Sequence, residues 1–179
     1  MLELFQTRAE AVGAQVHRFP GKPAALDFIL GALETEGVSD APSCHAVWAH
    51  CRFLEGIDRA RLGARAPGIR FDVTRELAAT ARVGVSQMDW AIANTGTLVQ
   101  VSTPVEQRLV STLPMVHIAI AASSRIVADL AGLLTRVRPE DAGYLAFITG
   151  PSRTADIERV LTIGVHGPER LVIVLVDDL

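Results

Sequence analysis

With 179 residues, two Cys and a formal net charge of −3, the chain is long enough for one domain with a sizeable core but too poor in Cys for a disulfide scaffold or a four-Cys iron–sulfur cluster. The acidic balance excludes non-specific nucleic-acid binding, which needs an excess of basic groups. Mean hydropathy is +0.30, yet the longest apolar runs, Leu171–Val176 and the His-interrupted Met115–Ala122, fall far short of the roughly 18 residues of a spanning helix. The N-terminal MLELFQTRAEA carries Glu3 and Arg8 and no apolar signal core, so the cytoplasm is the expected address. Lys22 is the only Lys beside sixteen Arg. This reads as a genome bias and weakens any single Arg as a functional signal.

In chain order, residues 2–15 place Leu2, Phe5, Ala9 and Val12 at three- and four-residue steps, the period of a helix. A short strand over Val16–Phe19 follows, broken by Pro20-Gly21. Ala24–Glu36 is a second amphipathic helix, ended by Gly37. His45–Ala49 reads as a strand, Asp58–Ala66 as a helix, and Ile69–Asp72 as a short strand after Pro67-Gly68. In the second half, Ala91–Ala93 and Thr97–Val101 flank Asn94-Thr95-Gly96 as a hairpin. Val116–Ala121 is a buried strand, Ile126–Val137 a helix and Leu145–Thr149 a strand. Thr154–Thr162 is then a helix and Leu171–Val176 a final strand. Continuous apolar strands alternating with helices predict a largely parallel sheet covered on both faces. The expected class is α/β: a single domain over residues 1–179, three-layer α/β/α, with a mixed, mostly parallel sheet.

The turn Gly150-Pro151-Ser152-Arg153-Thr154 joins an expected strand end to an expected helix start, the place where open sheets bind ligands. Gly150 admits close backbone approach, unpaired N–H groups and the helix dipole attract an anion, and Arg153 adds a bidentate grip on carboxylate or phosphate. Ser124-Arg125 repeats the pattern one helix earlier, with Asp129 and Asp156 near the two helix starts, so Arg125 and Arg153 are expected to rim one crevice. The same residues also make a well-capped turn with no ligand. Asn94-Thr95-Gly96-Thr97 is likewise either a tight hairpin turn or a set of hydroxyls and N–H groups able to hold a substrate carbonyl.

Cys44-His45 and His50-Cys51 are metal-ligand types. A strand between them sets His45 and His50 about 17 Å apart at ~3.4 Å per residue, so no metal is expected and both Cys are expected to be reduced and half-buried. His117 begins a strand. His166 lies in Gly164-Val165-His166-Gly167-Pro168, a connection expected on the face opposite the Gly150–Thr154 turn. Ser86, Ser111 and Ser152 lack a G-x-S-x-G context, and neither a Walker A loop nor G-x-G-x-x-G occurs.

Four segments, Asp89 to Leu98, Leu113 to Ile118, Gly150 to Glu158 and Gly164 to Pro168, together resemble the LUD-domain family, and within it the C-type lactate-utilization proteins. The resemblance is strongest over residues 84–178; Leu2–Phe5 and Ala11–His17 fit more weakly. It implies a fold like that of the NagB/RpiA/CoA transferase-like group and a role in oxidising L-lactate to pyruvate beside two partner proteins that carry the iron–sulfur clusters. Asn94 stands where the family usually has an acidic residue before Thr-Gly-Thr. A carboxylate there could act as a base, whereas an amide only hydrogen-bonds. The chain also starts close to the first helix of the family core, without the N-terminal extension of longer relatives; if that extension docks a partner, docking here is expected to differ.

The expectation is therefore a non-redox component of a lactate-oxidation system, with no cofactor in this chain and iron–sulfur subunits as partners. It would bind a small carboxylate or phosphate-bearing group around Thr95, Gly96, Thr97, Arg125, Gly150, Ser152, Arg153 and Thr154, with Asn94, His117, Asp156 and His166 as further candidates. Two rivals stand beside it. One is a stand-alone enzyme on a sugar phosphate or CoA thioester, for which Asp156 or Asp89 would supply the carboxylate; the other is an assembly scaffold without a ligand. Self-association is left open.

Overall fold

The protein is described from a computed structural model covering residues 1–155, 161–163 and 166–179. Its first half runs α1 (Leu2–Ala11), β1 (Gln15–Gly21), α2 (Lys22–Thr35), β2 (Ala46–Trp48), α3 (Arg59–Arg65), β3 (Ile69–Arg70), α4 (Arg75–Thr80) and β4 (Val83–Gln87). There follow β5 (Trp90–Ile92), β6 (Thr97–Val101), α5 (Val105–Thr112), β7 (Val116–Ala122), β8 (Ile126–Val127), α6 (Leu130–Leu134), β9 (Leu145–Ile148), β10 (Arg153–Ala155), β11 (Leu161–Ile163) and β12 (Arg170–Asp178).

Six strands form the main sheet in the order β1-β12-β7-β4-β2-β3, and every neighbouring pair is parallel. The central strands are the most apolar: all seven residues of β7 are buried, as are Leu171–Val176 of β12. That is the pattern of strands covered on both faces. One face sends Val83, Val85, Ile118, Ile120 and Val174 against Ala25, Ile29 and Leu33 of α2, with Trp48 and Phe53 filling the gap. The opposite face carries smaller side chains, Ala119 and Ala121, with Ile173 and Leu175, and packs on Phe5 and Ala9 of α1 and on Ala91 and Leu98. Small residues are needed there because backbone comes close: a Cβ on Gly84 would collide with the Val110 carbonyl of α5. Helices therefore lie on both faces, as expected for the three-layer α/β/α class.

A second sheet, ordered β8-β5-β6-β9, lies on the α1 face. The expected hairpin is present, with Trp90 opposite Val99 and Ile92 opposite Thr97. The strand expected at Leu145–Thr149 belongs to this smaller sheet, antiparallel to β6. Two expected helices are not formed as drawn. Over Ile126–Val137, the β-branched pair Ile126-Val127 instead joins β5 as a parallel strand. The helix then waits for Asp129, whose carboxylate accepts from the Gly132 N–H at 2.8 Å and serves as N-cap. Over Thr154–Thr162, the two ends are paired strands, Thr154 opposite Thr162 and Ala155 opposite Leu161. The helix expected over Asp58–Ala66 is α3, with Asp58 capping the N–H groups of Ala60 and Arg61.

The second sheet also reverses the direction that matters for function. The chain leaves β4 at Gln87, and β5 runs back across the α1 face, so the β5–β6 turn reaches the amino ends of the main strands. Strand β9 ends there too: the Ser152 N–H donates to the Pro168 carbonyl and the Glu169 N–H to the Met115 carbonyl, just before β7 begins. Among the described residues, no helix is long and apolar enough to cross a membrane.

Candidate functional site at the carboxyl ends of the main sheet

The connections after β2 and β4 leave to opposite faces. After β2 the chain goes through Phe53 and Leu62, which pack in the α2-side core; after β4 it goes to Ala91 on the α1 side. Neighbouring strands that diverge in this way open a crevice at their carboxyl ends, where open α/β sheets take ligands. The crevice here is a cleft of about 390 Å³ lined by Arg52, Gln87, Asp89, Trp90 and Arg125 among others. It adjoins a second of about 250 Å³, to which Arg52, Gln87 and Asp89 also contribute.

Its polar groups are held by backbone. The Val101 N–H donates to Asp89 Oδ2 at 2.7 Å, and the Phe53 N–H donates to Gln87 Oε1 at 2.8 Å. Gln100, 1% exposed, donates to both the Gln87 carbonyl and Gln107 Oε1, and Gln107 donates to the His50 carbonyl. This glutamine chain ties the loops after β2 and β4 together beneath the cleft. The Arg125 guanidinium stacks over the Trp90 ring at 4.7 Å from its centroid, which orients a cation while leaving its N–H edge available. Crowding by surrounding protein raises the Asp89 carboxyl above its ordinary range, opposed by the Val101 N–H and by Arg125. The cleft thus combines two guanidinium groups with Glu55 and with an Asp89 carboxyl of raised proton affinity; the guanidinium groups are suited to gripping a small carboxylate or phosphate and Asp89 to exchanging a proton with it.

The residues singled out from sequence divide between the two ends of the sheet. Arg125 lines the cleft. Arg153 lies at the amino ends, roughly 20 Å away along a seven-residue strand, and its Nη2 donates to the Val12 carbonyl at the end of α1. The two arginines therefore do not rim one crevice. The physical reason is the antiparallel run of β9, which carries the Gly150 turn away from the carboxyl edge.

Gly150 and Gly96 both have positive φ, +74° and +67°, and each fits against α1. A Cβ on Gly150 would strike the Val12 carbonyl, and one on Gly96 the Arg8–Ala9 backbone. Between these turns, Thr97 Oγ1 donates to Thr95 Oγ1 at 2.7 Å and lies 2.8 Å from Thr149 Oγ1. Asn94 is exposed, and its N–H donates to the Ala128 carbonyl. Thr95, Gly96, Thr97, Gly150 and Arg153 are thus brought together at this end of the sheet, where Gly96, Gly150 and Arg153 contact the C-terminal half of α1 and the residue that follows it. Thr154 enters β10 with its backbone paired to Thr162, and Asp156 lies outside the described residues.

The connection bearing His166 packs against the Gly150–Thr154 turn instead of lying across the sheet from it: a Cβ on Gly167 would lie 3.1 Å from Ser152 Cβ. His166 itself is exposed. His117 is 1% exposed, with Nε2 2.8 Å from Ser86 Oγ; burial lowers its pKa from 6.5 to about 4. His45 Nε2 pairs with the Leu77 carbonyl at 2.9 Å, and His50 is exposed. Cys44 is partly exposed, Cys51 is buried, and both are free thiols.

Arg52, Gln87 and Trp90 carry no mark of their own in the sequence. The available signal is the Gln87-Met88-Asp89-Trp90 run, with its two polar side chains, directly after Val83-Gly84-Val85-Ser86, a strand hidden by its Gly and Ser.

A family model, that of the LUD domain, matches residues 2–176. The protein named Lactate utilization protein C from Exiguobacterium sp. is 41% identical over 114 residues, 60% of this chain and 50% of that protein. Its namesake from Geobacillus sp. is 38% identical over 109 residues, 58% of this chain and 45% of the relative. The chain spans about half the length of these curated relatives. A solved structure of a DUF162 family protein from Deinococcus radiodurans aligns with a TM-score of 0.67 at 20% identity, covering 98% of this chain and 95% of that one. That likeness is one of fold.

Proposed function

The chain belongs to the LUD-domain family, and from that premise we propose that it is a non-redox component of an L-lactate oxidation system that holds a small carboxylate in the cleft between β2 and β4. The names of its relatives support the pathway. Electron transfer is assigned to iron–sulfur partner proteins: with two Cys the chain is short of the four thiolates an ordinary cluster takes. Cys51 also sits where burial raises its thiol pKa, the reverse of what a metal-ligating thiolate needs.

The observation that carries the reading is Arg125, oriented on Trp90 beside Asp89 at the divergence point of the sheet. Arg125 and Arg52 receive the carboxylate, and the cleft walls exclude part of its water. Calorimetric titration with L-lactate and pyruvate tests this. Binding is expected to weaken at least about tenfold in Arg125→Ala, the worth of one charge-assisted hydrogen-bonded contact. Absence of heat with both acids would remove the carboxylate role.

Asp89 favours a second reading, in which the chain turns over a substrate by itself. A carboxyl of raised proton affinity beside Arg125, in a cleft that Arg52 also lines, is the equipment of an acid–base catalyst on an anionic substrate such as a sugar phosphate or a CoA thioester. Turnover by the purified chain, lost in Asp89→Asn, would establish it. Activity only in the presence of iron–sulfur partners returns the protein to the component role.

A further inference from the structure

We propose that Asp89, with Gln87 beside it, reads the substituent at C2 of the bound acid, so that the cleft selects 2-hydroxy acids over 2-oxo acids; this rests on the carboxylate-binding reading of the same cleft. The argument is the fixed orientation of two short polar groups. Asp89 Oδ2 is occupied by the Val101 N–H at 2.7 Å, and the Asp89 N–H is itself tied to the Val99 carbonyl at 2.9 Å. The side chain is therefore anchored at both ends. Among the described residues Oδ1 has no hydrogen-bond partner, and Asp89 lines both clefts.

Gln87 is anchored in the complementary sense. Its Oε1 accepts from the Phe53 N–H, so its other terminal atom, the Nε2 amide, is the one left for the cleft that Gln87 lines. An acceptor oxygen and a donor amide thus belong to two residues that line both adjoining clefts together with Arg52, with Arg125 lining the larger one. A hydroxyl satisfies both, donating its proton to Asp89 and accepting from Gln87. A ketone oxygen accepts only: it matches Gln87 but meets a carboxylate oxygen at Asp89, acceptor against acceptor. An acid with hydrogen at C2 matches neither and desolvates both.

Three probes separate the contributions: L-lactate, pyruvate and propionate, titrated calorimetrically into the whole chain at neutral pH. L-lactate is expected to bind about tenfold or more tighter than either of the others, the ordinary worth of a hydrogen bond to a charged group. Asp89→Asn supplies the decisive comparison. The Val101 N–H needs an acceptor, so it holds the new side-chain oxygen inward and turns the amide NH2 to the cleft, replacing an acceptor by a donor of the same shape. The preference should then invert toward pyruvate.

Wild-type protein provides the same test without a variant. As pH falls and Asp89 protonates, its O–H can donate to a ketone, so the lactate-to-pyruvate affinity ratio should drop. Equal affinity for all three acids, with Arg125→Ala still weakening them, would overturn the inference while leaving carboxylate binding standing. A ratio unmoved both by Asp89→Asn and by acid would also overturn it. No binding of any of the three would overturn the carboxylate reading itself, and this inference with it.

Discussion

His117 lies on the face of β7 shared with Ala119 and Ala121, beneath the second sheet, with a neutral imidazole whose Nδ1 finds no partner among the described residues. Burial is the sole cause holding its pKa down to about 4, against 6.5 when free. The unfolded chain therefore binds the proton first, and stability contributed by the neutral ring falls as pH drops from about 6.5 toward 4, levelling off below. Between about pH 7 and pH 5 the expected loss is ~2 kcal/mol, accruing at about 1.36 kcal/mol for each pH step below the unfolded pKa. Urea unfolding at the two pH values reads it directly. In His117→Leu, which has no proton to bind, that part of the slope should vanish. A slope unchanged in the variant would show that the acid sensitivity arises elsewhere.

Asp89 illustrates the other side of residue-scale chemistry. Its side chain is exposed at the cleft wall, yet desolvation by the surrounding protein raises its proton affinity, while the Val101 N–H and Arg125 work in the opposite direction. Removing that cation should raise the Asp89 pKa further. Arg125→Ala is expected to shift the Asp89 carboxyl resonance titration to higher pH in carbon-detected NMR.

At the scale of elements, α1 is held less by its own sequence than by two turns pressed against its C-terminal half. Gly13, at φ +92°, ends it in a left-handed residue. Arg153 then brings a cation to its last carbonyl, the favourable sign at a helix C-terminus. Gly96 and Gly150 have both positive φ and backbone in contact, so Gly96→Ala and Gly150→Ala should each cost about 2 kcal/mol or more. That corresponds to a fall in Tm of about 4–8 °C for a chain of this size, with faster amide exchange confined first to α1. Arg153→Ala should cost about 1 kcal/mol or less. A melting temperature unchanged in both glycine variants would mean that the turns do not seat the helix.

Elements whose pattern is local are legible in the sequence. The apolar runs of β7 and β12, the amphipathic α2 and the Asp58 cap of α3 fall where the sequence places them. The two misread helices fail for one reason. Ile126-Val127 and Thr154-Ala155 pair with residues 35 and 8 or fewer positions away in sequence, and such pairing overrides the Ser-Arg-Asp pattern of a helix start. Strand β4 is hidden because Gly84 and Ser86 interrupt its apolar character, Gly84 making room for the Val110 carbonyl and Ser86 meeting His117.

For the whole molecule, the decisive feature is which end of the main sheet each turn reaches. The Gly150-Pro151-Ser152-Arg153 turn has every local property of an anion site, and the sequence carries no local mark that β9 runs antiparallel to β6 in a separate sheet. Arg125 is legible from sequence because its position after β7 is set by the most apolar strand of the protein. Arg52 is not, because it meets Gln87 and Asp89 only when β2 and β4 become neighbours. The cleft is thus a product of topology, and the motif segments Gly150 to Arg153 and His166 to Pro168 meet at the opposite edge, where their visible contacts anchor α1 and the start of β12.

The most direct measurement is a side-by-side calorimetric titration of Arg125→Ala and Arg153→Ala with L-lactate, each variant first shown to be folded. The cleft assignment predicts that Arg125→Ala binds at least about tenfold more weakly, the loss of one charge-assisted contact, while Arg153→Ala keeps the parent affinity and loses only stability. Loss of binding in Arg153→Ala with affinity intact in Arg125→Ala would place the ligand at the other end of the sheet and contradict the account.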